Sequence, residues 1–196
     1  MKKHYGFWLS RLAVLACMTI QNPATAATFW VSYSGAEFLN SAEAHGSLTV
    51  DDALFAGASM WAVLEPGVQV TAFTLTVSGA SAGNGTFQLE DFAMFSWKTA
   101  GAALDPTSEL VGQWTAGGPW GSSRDPAGDT GDFNLVALSE TAPNWVLPFQ
   151  MATNGGTGDP LALVSIRPVP LPATVWLLGS ALAALGLSFR RGSIRT

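Results

Sequence analysis

The sequence predicts an all-β fold: a single antiparallel β-sandwich, jelly-roll-like, set between an N-terminal signal peptide and one C-terminal transmembrane helix. Three observations lead there. Between the two ends the apolar segments are short and separated by Gly, Pro, Asn and Asp clusters. The clearest of them alternates, with Phe73, Leu75 and Val77 interleaved with Thr74 and Thr76, so one face is buried and the other solvated. No sustained helical period occurs before the C-terminal stretch. About eight to ten strands at close spacing fit two packed antiparallel sheets.

The elements follow in order. Phe29–Tyr33 is a first strand and Ser47–Val50 a second, closed by Asp51 and Asp52. Ala36–Ala44, short and bounded by Gly, is the one helix candidate. Val68–Val77 is the alternating strand, and Gly79–Gly85 is the loop after it. Thr86–Leu89 and Phe92–Trp97 follow, separated by Glu90 and Asp91. Glu109–Thr115, Phe133–Leu138 and Trp145–Met151 are further strands, the last interrupted by Pro148 and so an edge strand or a bulge. Asn154-Gly155-Gly156 is a turn and Leu161–Ile166 the final strand. Trp114–Gly131 reads as a long, irregular loop. Arg167–Pro172 holds three prolines and reads as a stiff, extended spacer.

Both ends carry an address. Lys2, Lys3 and Arg11 precede an apolar core, Leu12–Ile20, and Ala24-Thr25-Ala26 supplies a small–x–small cleavage site, so the mature chain is expected to begin at Ala27 after a cut at Ala26. Cys17 in Val14-Leu15-Ala16-Cys17 is loosely lipobox-like, but a cut there leaves too short an apolar core. At the other end, Ala173–Phe189 is uncharged. Its 17 residues would rise roughly 25 Å as a helix, a little short of a bilayer core of about 30 Å. Arg190 and Arg191 then stop it on the cytoplasmic side. The expected organisation is 1–26 signal peptide, 27–167 exported domain, 168–172 Pro-rich motif, 173–189 transmembrane helix and 190–196 basic cytoplasmic tail.

A Pro-containing motif, a short apolar helix and a terminal Arg cluster, in that order, resemble the PEP-CTERM sorting signals. Val169-Pro170-Leu171-Pro172-Ala173 is similar to the variant written Val-Pro-Leu-Pro-Ala. The resemblance covers about 23 residues of the tail. It implies a substrate of an exosortase, a membrane-embedded cysteine transpeptidase of Gram-negative bacteria that make extracellular polysaccharide. It also implies an inner-membrane-tethered precursor that passes to the cell envelope, surface or extracellular matrix.

Composition narrows what the exported part does. Residues 27–167 keep three cations, Lys98, Arg124 and Arg167, against all fourteen carboxylates of the chain, a formal charge of −11. A polyphosphate backbone is repelled, so nucleic acid is not an expected partner. Beyond Cys17 there is no cysteine, hence no disulfide, thiol nucleophile or thiolate metal site. Stability must come from a core, and 141 residues are enough to build one.

Few residues point to chemistry. Gly79-Ala80-Ser81-Ala82-Gly83 matches the G-x-S-x-G nucleophile elbow, but a strand follows instead of a helix and no histidine follows Ser81, so it reads as a hairpin loop. His45 is the one histidine past the signal, too few for a zinc site. Asp125, Asp129 and Asp132 share a loop with Gly128, Gly131 and Asn134. That loop reads either as a solvated acidic segment or as oxygen ligands for calcium. No catalytic residue and no cofactor is expected. Any two carboxylates that met in space would be needed for a polysaccharide hydrolase, and neither Asp51-Asp52 nor Glu90-Asp91 can pair along a strand. Trp120, flanked by Gly and Pro, is expected either to fold back as a plug or to expose its ring to a sugar. The leading expectation is a non-enzymatic surface protein with a structural or adhesive role, followed by a carbohydrate-binding module for extracellular polysaccharide, then a hydrolase.

Overall fold

Phe29, Val31 and Tyr33 are buried while Trp30 between them is exposed, the period of two that a strand imposes. The same alternation recurs through the protein, whose computed structural model describes residues 26–57, 62–122 and 130–170. The strands are β1 (Ala26–Ser34), β2 (Glu43–Asp51), β3 (Ala62–Leu64), β4 (Val70–Ser78), β5 (Gly85–Gln88), β6 (Phe92–Lys98), β7 (Trp114–Thr115), β8 (Gly118–Pro119), β9 (Asp132–Ala137), β10 (Asn144–Leu147), β11 (Gln150–Ala152) and β12 (Pro160–Pro168). The fold is all-β, and every pairing between these strands is antiparallel.

A seven-stranded sheet runs β10-β11-β12-β1-β2-β4-β5, a three-stranded sheet runs β3-β6-β9, and β7 and β8 form a small hairpin. The two larger sheets meet through aromatic side chains. Phe73 of β4 lies edge-on to Phe92 and Phe95 of β6, with ring centroids 5.1 and 5.0 Å apart. Phe55, between β2 and β3, packs on Phe29 of β1 and, edge-on, on Trp97 of β6. Each such pair contributes about 0.5–1.5 kcal/mol beyond its burial. Leu48, Leu75 and Ile166 from the large sheet and Leu64, Phe133 and Leu135 from the small one fill the rest of this core.

Several expectations need correction. Of the helix candidate, only Ala36–Phe38 turns, as a single 3-10 turn closed by Leu39 at φ 59. Asn40 Oδ1 then accepts from Ala42 N, and β2 begins at Glu43. So short a segment cannot offset the cost of helix nucleation. Glu109–Thr115 is not one strand. Leu110 N donates to Ile166 O and Gly112 takes φ 92, so the chain binds the edge of β12 and turns, leaving only Trp114–Thr115 paired. The Trp145–Met151 segment is two strands joined by Pro148-Phe149 and not one, though β10 is the expected edge strand, with a register shift between Trp145 and Leu147. Proline suits that turn because it has no donor to leave unpaired. β3 had no counterpart among the sequence expectations. Arg167 and Pro168 belong to β12 and not to a spacer.

β12 is the last strand in sequence yet sits inside the large sheet, between β11 and β1. β1 and β12 run antiparallel, with Phe29 opposite Pro168, and Val169 N donates to Thr28 O at 2.8 Å. The chain therefore enters and leaves the domain at one end. Among the described residues no helix is long and apolar enough to cross a membrane. The expected helix 173–189, the tail with Arg190 and Arg191, motif residues Leu171, Pro172 and Ala173, and the signal before Ala26 lie outside the described residues.

Candidate functional site on the outer face of the large sheet

The residues singled out from sequence are not brought together. Trp120 is fully buried, so of its two expected roles the folded-back plug holds and the exposed sugar contact is corrected. Its ring lies 5.1 Å from Trp97 and 5.2 Å, edge-on, from Phe149, and Nε1 donates to Lys98 O at 2.8 Å. Gly131, at φ 114, lets the indole lie against the backbone, where a Cβ would collide with the ring. The Gly and Pro neighbours of Trp120 thus serve a tight turn under the core. Trp120 is the plug, and β7 and β8 pair within the segment expected to be an irregular loop.

Asp132 is likewise not a loop ligand. It lies in β9, buried, with Oδ1 accepting from Asn134 Nδ2 at 2.6 Å and Oδ2 from Ser96 Oγ at 3.2 Å. Burial pushes its carboxyl above the usual range, partly opposed by donors from Ser96, Phe149 and Asn134 and by the charge of Lys98. Burial, with the charge of Asp132, pushes the Tyr33 phenol well up. Asp125 and Asp129 lie outside the described residues. Among the described residues no group of three or more His, Cys, Asp or Glu side chains is placed to hold a metal. Ser81 sits in the hairpin loop joining β4 to β5, its backbone N–H donating to Asp159 Oδ2 at 2.5 Å. That bond holds the Asp159 carboxyl below its usual range. Asp51 Oδ1 accepts from Ala53 N and Asp91 Oδ2 from Gln88 N, so these carboxylates cap local turns.

What the sheet does assemble is a polar outer face around one aromatic ring. Strand registry lines up two rows across the strands. One runs Arg167, Trp30, Ser47, Thr74 and Gln88 across β12, β1, β2, β4 and β5; the next runs Ser165, Ser32, His45, Thr76 and Thr86. Thr74 Oγ1 donates to Gln88 Oε1 at 2.9 Å, and Thr76 and Thr86 share a hydroxyl bond of 2.9 Å. Such cross-strand pairs stiffen the face. Trp30 stands 56% exposed between two depressions. One, of about 450 Å3, has Ser47 and Gly46 at its floor and Thr74 and Thr76 along its far side. The other, of about 440 Å3, is bounded by Glu43, His45, Val164 and Arg167.

At the edge of the face, Glu109 clamps β12. Its carboxylate accepts from Ser165 Oγ at 2.5 Å, Ile166 N at 2.7 Å, Arg167 Nε at 2.9 Å and Val111 N at 3.2 Å. Partial burial opposes ionisation, but these donors outweigh it and hold the carboxyl below its usual range. His45 Nε2 lies 3.4 Å from Glu43 Oε2, with both side chains well exposed. Ser32 faces His45 across the strands, but no hydrogen bond joins them, so the trio is not held as a nucleophile, base and acid.

Neither a protein-family model, a curated protein nor a solved structure matches this chain. Sequence reasoning placed Trp30 in a strand without giving it a role. The signal was present in the alternation: with Phe29, Val31 and Tyr33 on the inner face, Trp30 and Ser32 must share the outer one.

Proposed function

We propose that this chain is an exported protein of the Gram-negative cell envelope or polysaccharide matrix, with a structural or adhesive role and no catalytic activity. In this reading the signal is removed between Ala26 and Ala27. The domain is a lopsided sandwich, its large sheet backed by the smaller one. The tail, from Val169 and Pro170 through Leu171, Pro172 and Ala173 to Arg190 and Arg191, forms a transmembrane hold that an exosortase-type transpeptidase reads and processes.

The single observation that carries the reading is the pairing of β1 with β12. It puts Ala26–Ala27 and Val169–Pro170 at the same end of the sheet. Both expected membrane segments thereby leave the domain on one side, and the body of the sheet projects away from it. Val169 is still tied to β1, so the motif starts where the folded domain ends, without a slack linker between them.

The test is mass spectrometry of both termini of the protein recovered from its native host. The expected result is an N-terminus at Ala27 and a C-terminus upstream of Arg190. An N-terminus at Ala27 with an intact C-terminus at Thr196 would reduce the tail to a plain anchor and overturn the processing claim.

A further inference from the structure

We infer that the outer face of the seven-stranded sheet binds a neutral polysaccharide, with Trp30 as the stacking platform. The inference stands on geometry that is independent of how the chain is sorted. Trp30 projects from β1, more than half exposed, and lines both depressions, of about 450 and 440 Å3, so its ring is open to a ligand lying in either. Pyranose rings offer an apolar C–H face and a rim of hydroxyls. An indole supplies the complementary apolar plane, with a polar N–H at its edge.

The surroundings match the rim. Ser32 and Ser47 lie beside Trp30, with Thr74 and Thr76 one strand beyond Ser47. His45 and Arg167 add two longer donors on opposite sides. From β12 to β4 the face crosses three strand intervals, roughly 14 Å. That extent suits a run of sugar units better than a single sugar. Pairing of β1 with β2 on one side and β12 on the other fixes the backbone beneath Trp30, which limits the ordering cost on binding.

Two other occupants fit less well. A polyanion would approach an exported domain of formal charge −11, against repulsion. A second copy of this chain would need an apolar centre to its interface. Around the two depressions, Trp30 and Val164 are the large apolar side chains that stand exposed, set in Ser and Thr, while the exposed Trp145, Val146 and Leu147 lie apart from them on the edge strand β10.

The experiment is native affinity electrophoresis of the full chain in detergent micelles. Gels are cast with hydroxyethyl cellulose, dextran or galactomannan as neutral probes and with alginate as the anionic one. Retardation by at least one neutral polymer is expected, weakened about tenfold or more in Trp30→Ala. It should persist in Trp114→Ala, whose ring is exposed on the β7–β8 hairpin. If near-UV circular dichroism shows that Trp30→Ala does not fold, Ser47→Phe, which fills the floor of one depression, must produce the same loss. The inference is overturned if no neutral polymer retards the protein, if only alginate does, or if the folded variants bind as the parent does. A Trp30-dependent dimer in sedimentation, with no retardation, would assign the face to self-association and overturn it as well.

Discussion

Trp30 and Trp120 show how little the identity of a residue fixes its role. Both are tryptophans in a chain with few charges, and their surroundings differ as their neighbours in sequence do not show. Trp120, among glycines and a proline, is fully buried; Trp30, within an apolar run, is largely exposed. Local composition reports backbone freedom, whereas burial depends on partners distant in sequence. Trp120 meets Trp97 and Phe149, neither of which is near it in sequence. We therefore expect Trp120→Ala to cost about 3–5 kcal/mol in urea unfolding, while Trp114→Ala stays within about 0.5 kcal/mol of the parent. Equal costs would contradict the packing described. The alternation that exposes Trp30 was legible in five residues, Phe29 to Tyr33. The burial of Asp132 was not, because Asp and Gly around it signal a loop and only registry with Lys98 makes it a strand residue.

At the scale of elements, a clean period of two makes a strand legible in sequence, whereas a short segment whose pairing depends on distant partners carries little signal. β4 alternates and was placed to within two residues at its start. β3 is three residues long, followed closely by Pro66 and Gly67, and carries too little pattern to detect. The segment at Glu109 looked like a strand because Leu110, Val111 and Trp114 are apolar. In fact it closes the edge of β12 that β11 leaves open, through Leu110 N and the Glu109 carboxylate. The Glu109 carboxyl lies below its ordinary value of 4.5 in the folded protein. Its contribution to stability is thus complete above that value and lost as pH falls through the lower, folded one. Glu109→Gln is expected to cost about 1–2 kcal/mol at neutral pH, discounted for the partial exposure of the side chain. The gap between parent and variant should close in acid below the ordinary carboxylate range. Denaturant titrations at the two pH values check this, and a gap that widens in acid would reverse the assignment.

Across the whole molecule, the all-β class followed from spacing and turn residues, but the topology did not. Nothing local in Leu161–Ile166 says that it lies between β11 and β1, since pairing over most of the chain length leaves no trace in a short window. The position has a thermodynamic consequence. Without β12 the seven-stranded sheet divides into β10-β11 and β1-β2-β4-β5, and Leu161, Leu163 and Ile166 leave the core. A chain ending at Asp159 is expected to show no cooperative unfolding transition, whereas one ending at Pro170 should unfold as the parent does. Circular dichroism melts distinguish them, and a cooperative melt from the shorter chain would show that β12 is dispensable.

The adjacency of the first and last strands also governs timing. A chain that emerges from its N-terminus, whether from a ribosome or through a membrane pore, delivers β1 at once and β12 last. Until β12 arrives, β1 has a bare edge and the sheet cannot close, however long the intervening chain waits. The domain thus has a built-in completion check. Only a chain delivered through Pro168 can lock, and the residues that lock it, Ile166 to Pro168, immediately precede Val169 and Pro170. Closing the sheet and delivering the residues that follow Pro168 become successive moments of one event.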